Sequence, residues 1–121
     1  MNNSPNVPQK SPITCHVLDT SKGKPAANLP VTLYKFVNDK WSLIETRMTN
    51  QDGRCNNLVE LENFTVGRYK VHFLVSQYFE STNTKSMYPF VEIVFDFDDP
   101  LDHYHIPLLL SPFGYSTYRG S

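Results

Sequence analysis

The sequence predicts an all-β domain, and three observations carry that expectation. Apolar and polar residues alternate with a period of two in several short runs, turn residues punctuate the chain between them, and aromatic residues reach 13% beside nine prolines. Stretches of helix-favouring residues are few. A chain of 121 residues suits a single domain with a real core, and the spacing of about seven or eight strands is that of a sandwich.

Residues 1 to about 11 are polar and proline-punctuated and are expected to form a flexible N-terminal arm, with the domain running over 12–121. Ile13 to Asp19 reads as the first strand, closed by a turn at Gly23-Lys24-Pro25. Pro30 to Val37 alternates as a half-buried strand does, and Asn38-Asp39-Lys40 joins it tightly to Trp41 to Thr49. Asn50-Gln51-Asp52-Gly53 turns the chain again, so these segments read as a meander. Gly67 to Val75 is the next strand. Ser76 to Asn83 lacks the alternation and is expected to make two turns of helix, the one helix of the domain. Phe90 to Phe97 is a strand broken by Asp98-Asp99-Pro100, and His103 to Tyr118 reads as two apolar strands joined at Ser111-Pro112-Phe113-Gly114.

Charge and segment content exclude several classes of function. Eleven Lys and Arg against twelve Asp and Glu leave a net charge of -1, so no field exists to hold nucleic acid or an anionic membrane. No apolar run reaches the length needed to span a bilayer, and the first residues lack the apolar core of a signal peptide. A soluble cytoplasmic product is expected. Peroxisomal import stays open, although Arg119-Gly120-Ser121 is unlike Ser-Lys-Leu. Cys15 and Cys55 are expected as reduced thiols, because nothing directs export to an oxidising compartment.

Polar residues placed inside strands mark where chemistry is to be sought. On an extended strand His16 shares a face with Thr14 and Leu18, while Cys15 and Val17 occupy the other. That separation disfavours a Cys15–His16 nucleophile pair and leaves an approach of His105 to Cys15 as a weak alternative. His103 and His105, two apart, face one side and with His16 can form a three-histidine metal set. Against it, an H-x-H pair is a weak signal, and the nearby Asp98, Asp99 and Asp102 lie in or beside a turn. His103 reads more simply as a structural histidine, as does His72. Arg54, Tyr118 and Arg119, taken singly, read as surface or packing residues. The run Tyr118-Arg119-Gly120-Ser121 nevertheless gathers a phenol, a guanidinium, a hydroxyl and a carboxylate behind two apolar strands. Such an end is expected to be docked into a site instead of fraying.

Three blocks in one order carry a resemblance. They are His16-Val-Leu-Asp-Thr-Ser-Lys-Gly-Lys-Pro-Ala26, Thr49-Asn-Gln-Asp-Gly-Arg54, and the stretch from His103 through Pro107-Leu-Leu-Leu-Ser-Pro-Phe-Gly-Tyr-Ser-Thr117 to the final Tyr-Arg-Gly-Ser. Over residues 12–121 the chain closely resembles the 5-hydroxyisourate hydrolases of the transthyretin-related family. The related hormone carriers lack the terminal tetrapeptide and a histidine at the position of His16. The resemblance implies a transthyretin-like sandwich of two four-stranded sheets with one short helix, and a homotetramer, a dimer of dimers with active sites in a central channel. It implies hydrolytic opening of 5-hydroxyisourate to 2-oxo-4-hydroxy-4-carboxy-5-ureidoimidazoline in urate degradation, without metal or cofactor. It also implies His16, Arg54, His105 and Ser121 as catalytic residues, with His16, Arg54 and Tyr118 binding substrate. Cys15 stands where many relatives have threonine, and Phe113 where tyrosine is common. A non-catalytic small-ligand binding protein of the same fold is the competing reading.

The chemistry asked of such residues is simple to state. Opening a cyclic amide needs an activated water, stabilisation of an oxygen gaining charge, and a proton for the departing nitrogen. A neutral imidazole serves as base near neutral pH. Arg54 offers a planar cationic fork for a carbonyl edge. His105 is expected to activate the water and His16 to position it or shuttle the proton. Tyr118 is expected to stack on or hydrogen-bond the ligand, and Ser121 to hold the histidines or water in place.

Overall fold

The computed structural model describes residues 11–121. The arm expected over residues 1–11 therefore lies outside the described residues except for Ser11. That residue is buried, with its hydroxyl donated to the carbonyl of Val59 at 2.6 Å.

The described residues form nine strands, one α-helix and a 3-10 turn at Leu61–Asn63. The strands are β1 (Ile13–Asp19), β2 (Lys24–Pro25), β3 (Pro30–Val37), β4 (Lys40–Met48), β5 (Arg54–Cys55), β6 (Gly67–Phe73), β7 (Val91–Phe97), β8 (Tyr104–Ser111) and β9 (Gly114–Thr117), with α1 (Val75–Ser81) between β6 and β7. One sheet is ordered β4-β3-β6-β7. The other runs β2-β1-β8-β9, with β5 also paired to β1. The first sheet has the expected four strands, and the second has four in its path plus the two-residue β5. Local alternation has too few residues in β2 and β5 to reveal them, and only their pairing with β1 defines them.

β3 and β4 form the expected hairpin, with Asn38 and Asp39 both at positive φ (52° and 62°) between the paired Val37 and Lys40. This is the turn that asparagine and aspartate tolerate and that matches strand twist. The expected meander beyond it does not occur. After β4 the chain leaves its sheet at Thr49 and crosses to the other, where β5 pairs with β1. Thr49 fixes the departure: its hydroxyl accepts from Leu29 N at 2.9 Å and donates to the Ala26 carbonyl at 2.7 Å.

The core lies between the sheets and follows from period two. Cys15 and Val17 of β1 and Ile106, Leu108 and Leu110 of β8 face Val31 and Leu33 of β3 and Tyr69, Val71 and Phe73 of β6, all buried. In α1, Val75, Tyr78 and Phe79 fall at positions i, i+3 and i+4 and are buried together. Cys15 and Cys55 are free thiols on opposite positions of β1 and β5. No helix among the described residues is long and apolar enough to cross a membrane.

Candidate active site

Strand register assembles the site. β1 and β8 run parallel, which sets Thr14 beside His105 and His16 beside Pro107. β5 pairs antiparallel with β1 on its other side and sets Arg54 directly across from His16. Side chains on paired positions of neighbouring strands share a face. Thr14, His16, Arg54 and His105 therefore emerge together on the face of the sheet turned away from the core. His103, two residues before His105, joins them.

Gly53 makes the β5 pairing possible. It sits at φ 73°, its carbonyl accepts from Val17 N at 2.8 Å, and a Cβ there would stand 2.4 Å from the Val17 carbonyl oxygen. Only glycine lets this turn approach β1 so closely and deliver Arg54 beside His16.

The rings of His16 and His105 lie with centroids 6.3 Å apart, tilted by 35°. Both are half-buried. Desolvation, and next the positive charge of Arg54, push both pKa values below the ordinary histidine value. Asp52 opposes the shift at His16, while His16 and His103 add to it at His105. Both imidazoles are thereby biased toward the neutral form.

The chain end is docked as expected. Gly120 N donates to the His105 carbonyl at 2.8 Å in an isolated antiparallel bridge. Arg119 donates to Asp102 Oδ1 at 2.7 Å and covers the Tyr104 ring at 4.2 Å. Tyr104 in turn stacks on Phe97 of the opposite sheet, with ring centroids 4.4 Å apart. Arg119 thus remains an exposed residue while tying the tail to the entrance of β8. Tyr118 is 59% exposed, and Ser121 is exposed. Among the described residues neither side chain has a hydrogen-bond partner, so the tail brings them to the site's margin without binding them to the histidines.

Two residues of the cluster had no role in the sequence-based assignment. Thr14 bonds His105 Nδ1 at 2.8 Å, and His103 Nδ1 lies 2.8 Å from the Ser11 carbonyl oxygen. The shared face of Thr14 and His16 was legible, but the partner strand was not. His105 and Cys15 are separated by the sheet itself, since Cys15 is buried on the core side. Among the described residues no group of three or more His, Cys, Asp or Glu is disposed to hold a metal ion. His72 instead pairs with Glu92 at 2.9 Å on the other sheet.

Grooves of about 380 and 270 Å³ flank the 56–63 segment, and neither is lined by His16, Arg54 or His105.

Known proteins show the family and the fold. A family model described as HIUase/Transthyretin matches residues 13–120. The 5-hydroxyisourate hydrolase of Mus musculus is 41% identical over 115 residues, covering 93% of this chain and 98% of the relative. 5-hydroxyisourate hydrolase 2 of Rhizobium meliloti is 47% identical over 114 residues, covering 90% and 95%. Among solved structures, the 5-hydroxyisourate hydrolase of Klebsiella pneumoniae matches with a TM-score of 0.81 at 30% identity, covering 90% of this chain and 97% of that one. Sea bream transthyretin in complex with thyroxine matches with a TM-score of 0.85 at 32% identity, covering 91% and 95%. The chain has the transthyretin-like β-sandwich fold and belongs to the HIUase/Transthyretin family.

Proposed function

We propose that the chain is a 5-hydroxyisourate hydrolase of urate degradation, with residues 12–121 as its catalytic domain and no metal in its mechanism. The observation that carries this reading is the convergence of His16, Arg54 and His105 on one sheet face with the terminal segment pinned to His105. Relatives named for this activity, at 41% and 47% identity over nearly their whole length, support it.

In the proposed reaction His105 takes a proton from water as the water oxygen bonds to the ring carbonyl carbon. Arg54 holds the carbonyl edge and stabilises the oxygen that gains charge. Collapse of the adduct breaks the carbon–nitrogen bond, and the proton taken from water passes to the departing nitrogen, directly or through His16. The product acid then ionises to solvent. The lowered pKa values of both histidines favour the neutral form that a base requires. Tyr118 contacts the substrate, and Ser121 holds water or a histidine in place once substrate fills the site.

The family resemblance further suggests a homotetramer, a dimer of dimers in which a second copy covers the cluster to form a channel. The ultraviolet decay of freshly generated 5-hydroxyisourate, with and without chelator, tests the reading. Chelator-resistant acceleration over spontaneous decay is expected. No acceleration would leave a binding protein with a transthyretin-like fold, and loss on chelation would require a metal.

A further inference from the structure

The Thr14 hydroxyl stands between two histidine rings, 2.8 Å from His105 Nδ1 and 3.4 Å from His103 Nε2. On its far side His103 places Nδ1 2.8 Å from the carbonyl oxygen of Ser11. A carbonyl oxygen can only accept, so His103 Nδ1 carries the hydrogen and donates. In the neutral ring Nε2 is then an acceptor. Thr14 has a single hydroxyl proton to place. Given to His103 Nε2, it turns all three contacts into hydrogen bonds and leaves the Thr14 oxygen to accept from His105 Nδ1–H. Given to His105 instead, it would set the lone pairs of the Thr14 oxygen and His103 Nε2 against each other.

The chain of bonds rests on fixed parts. Thr14 is 8% exposed and lies beside His105 in the parallel register. Ser11 is held through its hydroxyl to Val59. A half-buried imidazole whose Nδ1 must donate presents its Nε2 as a lone pair.

We propose that Thr14 and His103 are positioning residues that fix His105 as the Nδ1–H tautomer, with Nε2 free to take a proton. The role of that lone pair in catalysis rests on the hydrolase reading, whereas the tautomer itself does not. Thr14 acts only through His105. It sets which nitrogen is basic and where the ring points, as hydrogen-bond partners of functional histidines do elsewhere.

The test joins kinetics of Thr14→Val and Thr14→Ser with nitrogen NMR of the histidine rings. In the wild type His105 should carry its hydrogen on Nδ1. Thr14→Val should lower kcat by roughly 10- to 100-fold with little change in KM and should lose the Nδ1–H preference. Thr14→Ser, which keeps the hydroxyl, should restore both. A wild-type His105 protonated on Nε2 would overturn the inference, and this reading stands even if Thr14→Val fails to fold. So would a Thr14→Val enzyme with unaltered kcat, or valine and serine variants equally impaired. A wild type that does not accelerate substrate decay would remove the hydrolase reading while leaving the tautomer to be decided by NMR.

Discussion

The backbone N–H of Gly120 donates to the His105 carbonyl at 2.8 Å, and a Cβ on residue 120 would stand 2.6 Å from Cδ2 of the His105 ring. The same Cβ would lie 3.2 Å from the His105 carbonyl oxygen and 3.2 Å from Pro107 Cγ. Tail and ring therefore cannot both keep their places if residue 120 gains a side chain. Gly120→Ala should cost roughly 100-fold in kcat/KM, the order expected when a catalytic group is displaced by about 1 Å. The thermal midpoint should barely move, because the segment adds little to the core. Activity equal to wild type would show that the docked tail is not part of the site.

His105 and His103 share a face but not a task. His105→Ala removes the proposed base and should cost about two to four orders of magnitude in rate. His103→Ala removes the acceptor 3.4 Å from Thr14 and the bond to Ser11, so it loosens the hold on the His105 tautomer without removing the base, and its loss should be about 10-fold. Decay assays on the two variants decide this. Equal rates would mean that the base has been assigned to the wrong histidine.

The charge of Arg54 makes a prediction about pH. Burial first, then Arg54, lowers the pKa of both His16 and His105. The acidic limb of the kcat/KM profile should therefore fall below the ordinary histidine value of about 6.5. A nearby cation disfavours the protonated ring, so removing it must raise both pKa values. Arg54→Gln should weaken substrate binding and move the acidic limb upward. A limb that stays in place, or moves down, would separate Arg54 electrostatically from the base.

What the sequence disclosed and what it hid divide along the range of the interaction. Alternation over Pro30 to Val37, and the Asn38-Asp39 turn after it, are local properties, and the structure keeps both. The helix expected over Ser76 to Asn83 is local too, although it forms over Val75–Ser81 and takes Val75 from the strand expected to end there. The parallel pairing of β1 with β8 joins residues about ninety positions apart, and no local pattern shows that Thr14 lies beside His105. For the same reason the chain's departure from its sheet after β4 was invisible, because one turn looks alike whether the next strand pairs within the sheet or across it. His16, Arg54, His105 and the tail were singled out through a resemblance between motifs. Register then accounts for why they meet. Arg119 is exposed, as a surface arginine would be, but its contacts with Asp102 and Tyr104 could not be read locally because they come from another strand entrance.

Stability should depend on one contact that stands behind the site without entering it. Tyr78 of α1 donates its hydroxyl to Asp19 Oδ2 at 2.7 Å at the end of β1, while Oδ1 of Asp19 accepts from the Ser21 hydroxyl at 2.6 Å and its backbone N–H at 3.0 Å. Asp19 is fully buried, so no water replaces a lost donor. Burial and then the neighbouring carboxylate raise the Tyr78 pKa well above the ordinary phenol value, so the hydroxyl remains a donor at every pH of interest. Tyr78→Phe keeps the packing of the ring and leaves the Asp19 oxygen short of one bond. About 1–3 kcal/mol of unfolding free energy should be lost, measured in urea. Because Asp19 points into the core and His16 away from it, kcat should hold at temperatures where the variant stays folded. A variant as stable as wild type would mean that Asp19 finds another donor, and a fall in kcat without loss of stability would tie the helix to the active face.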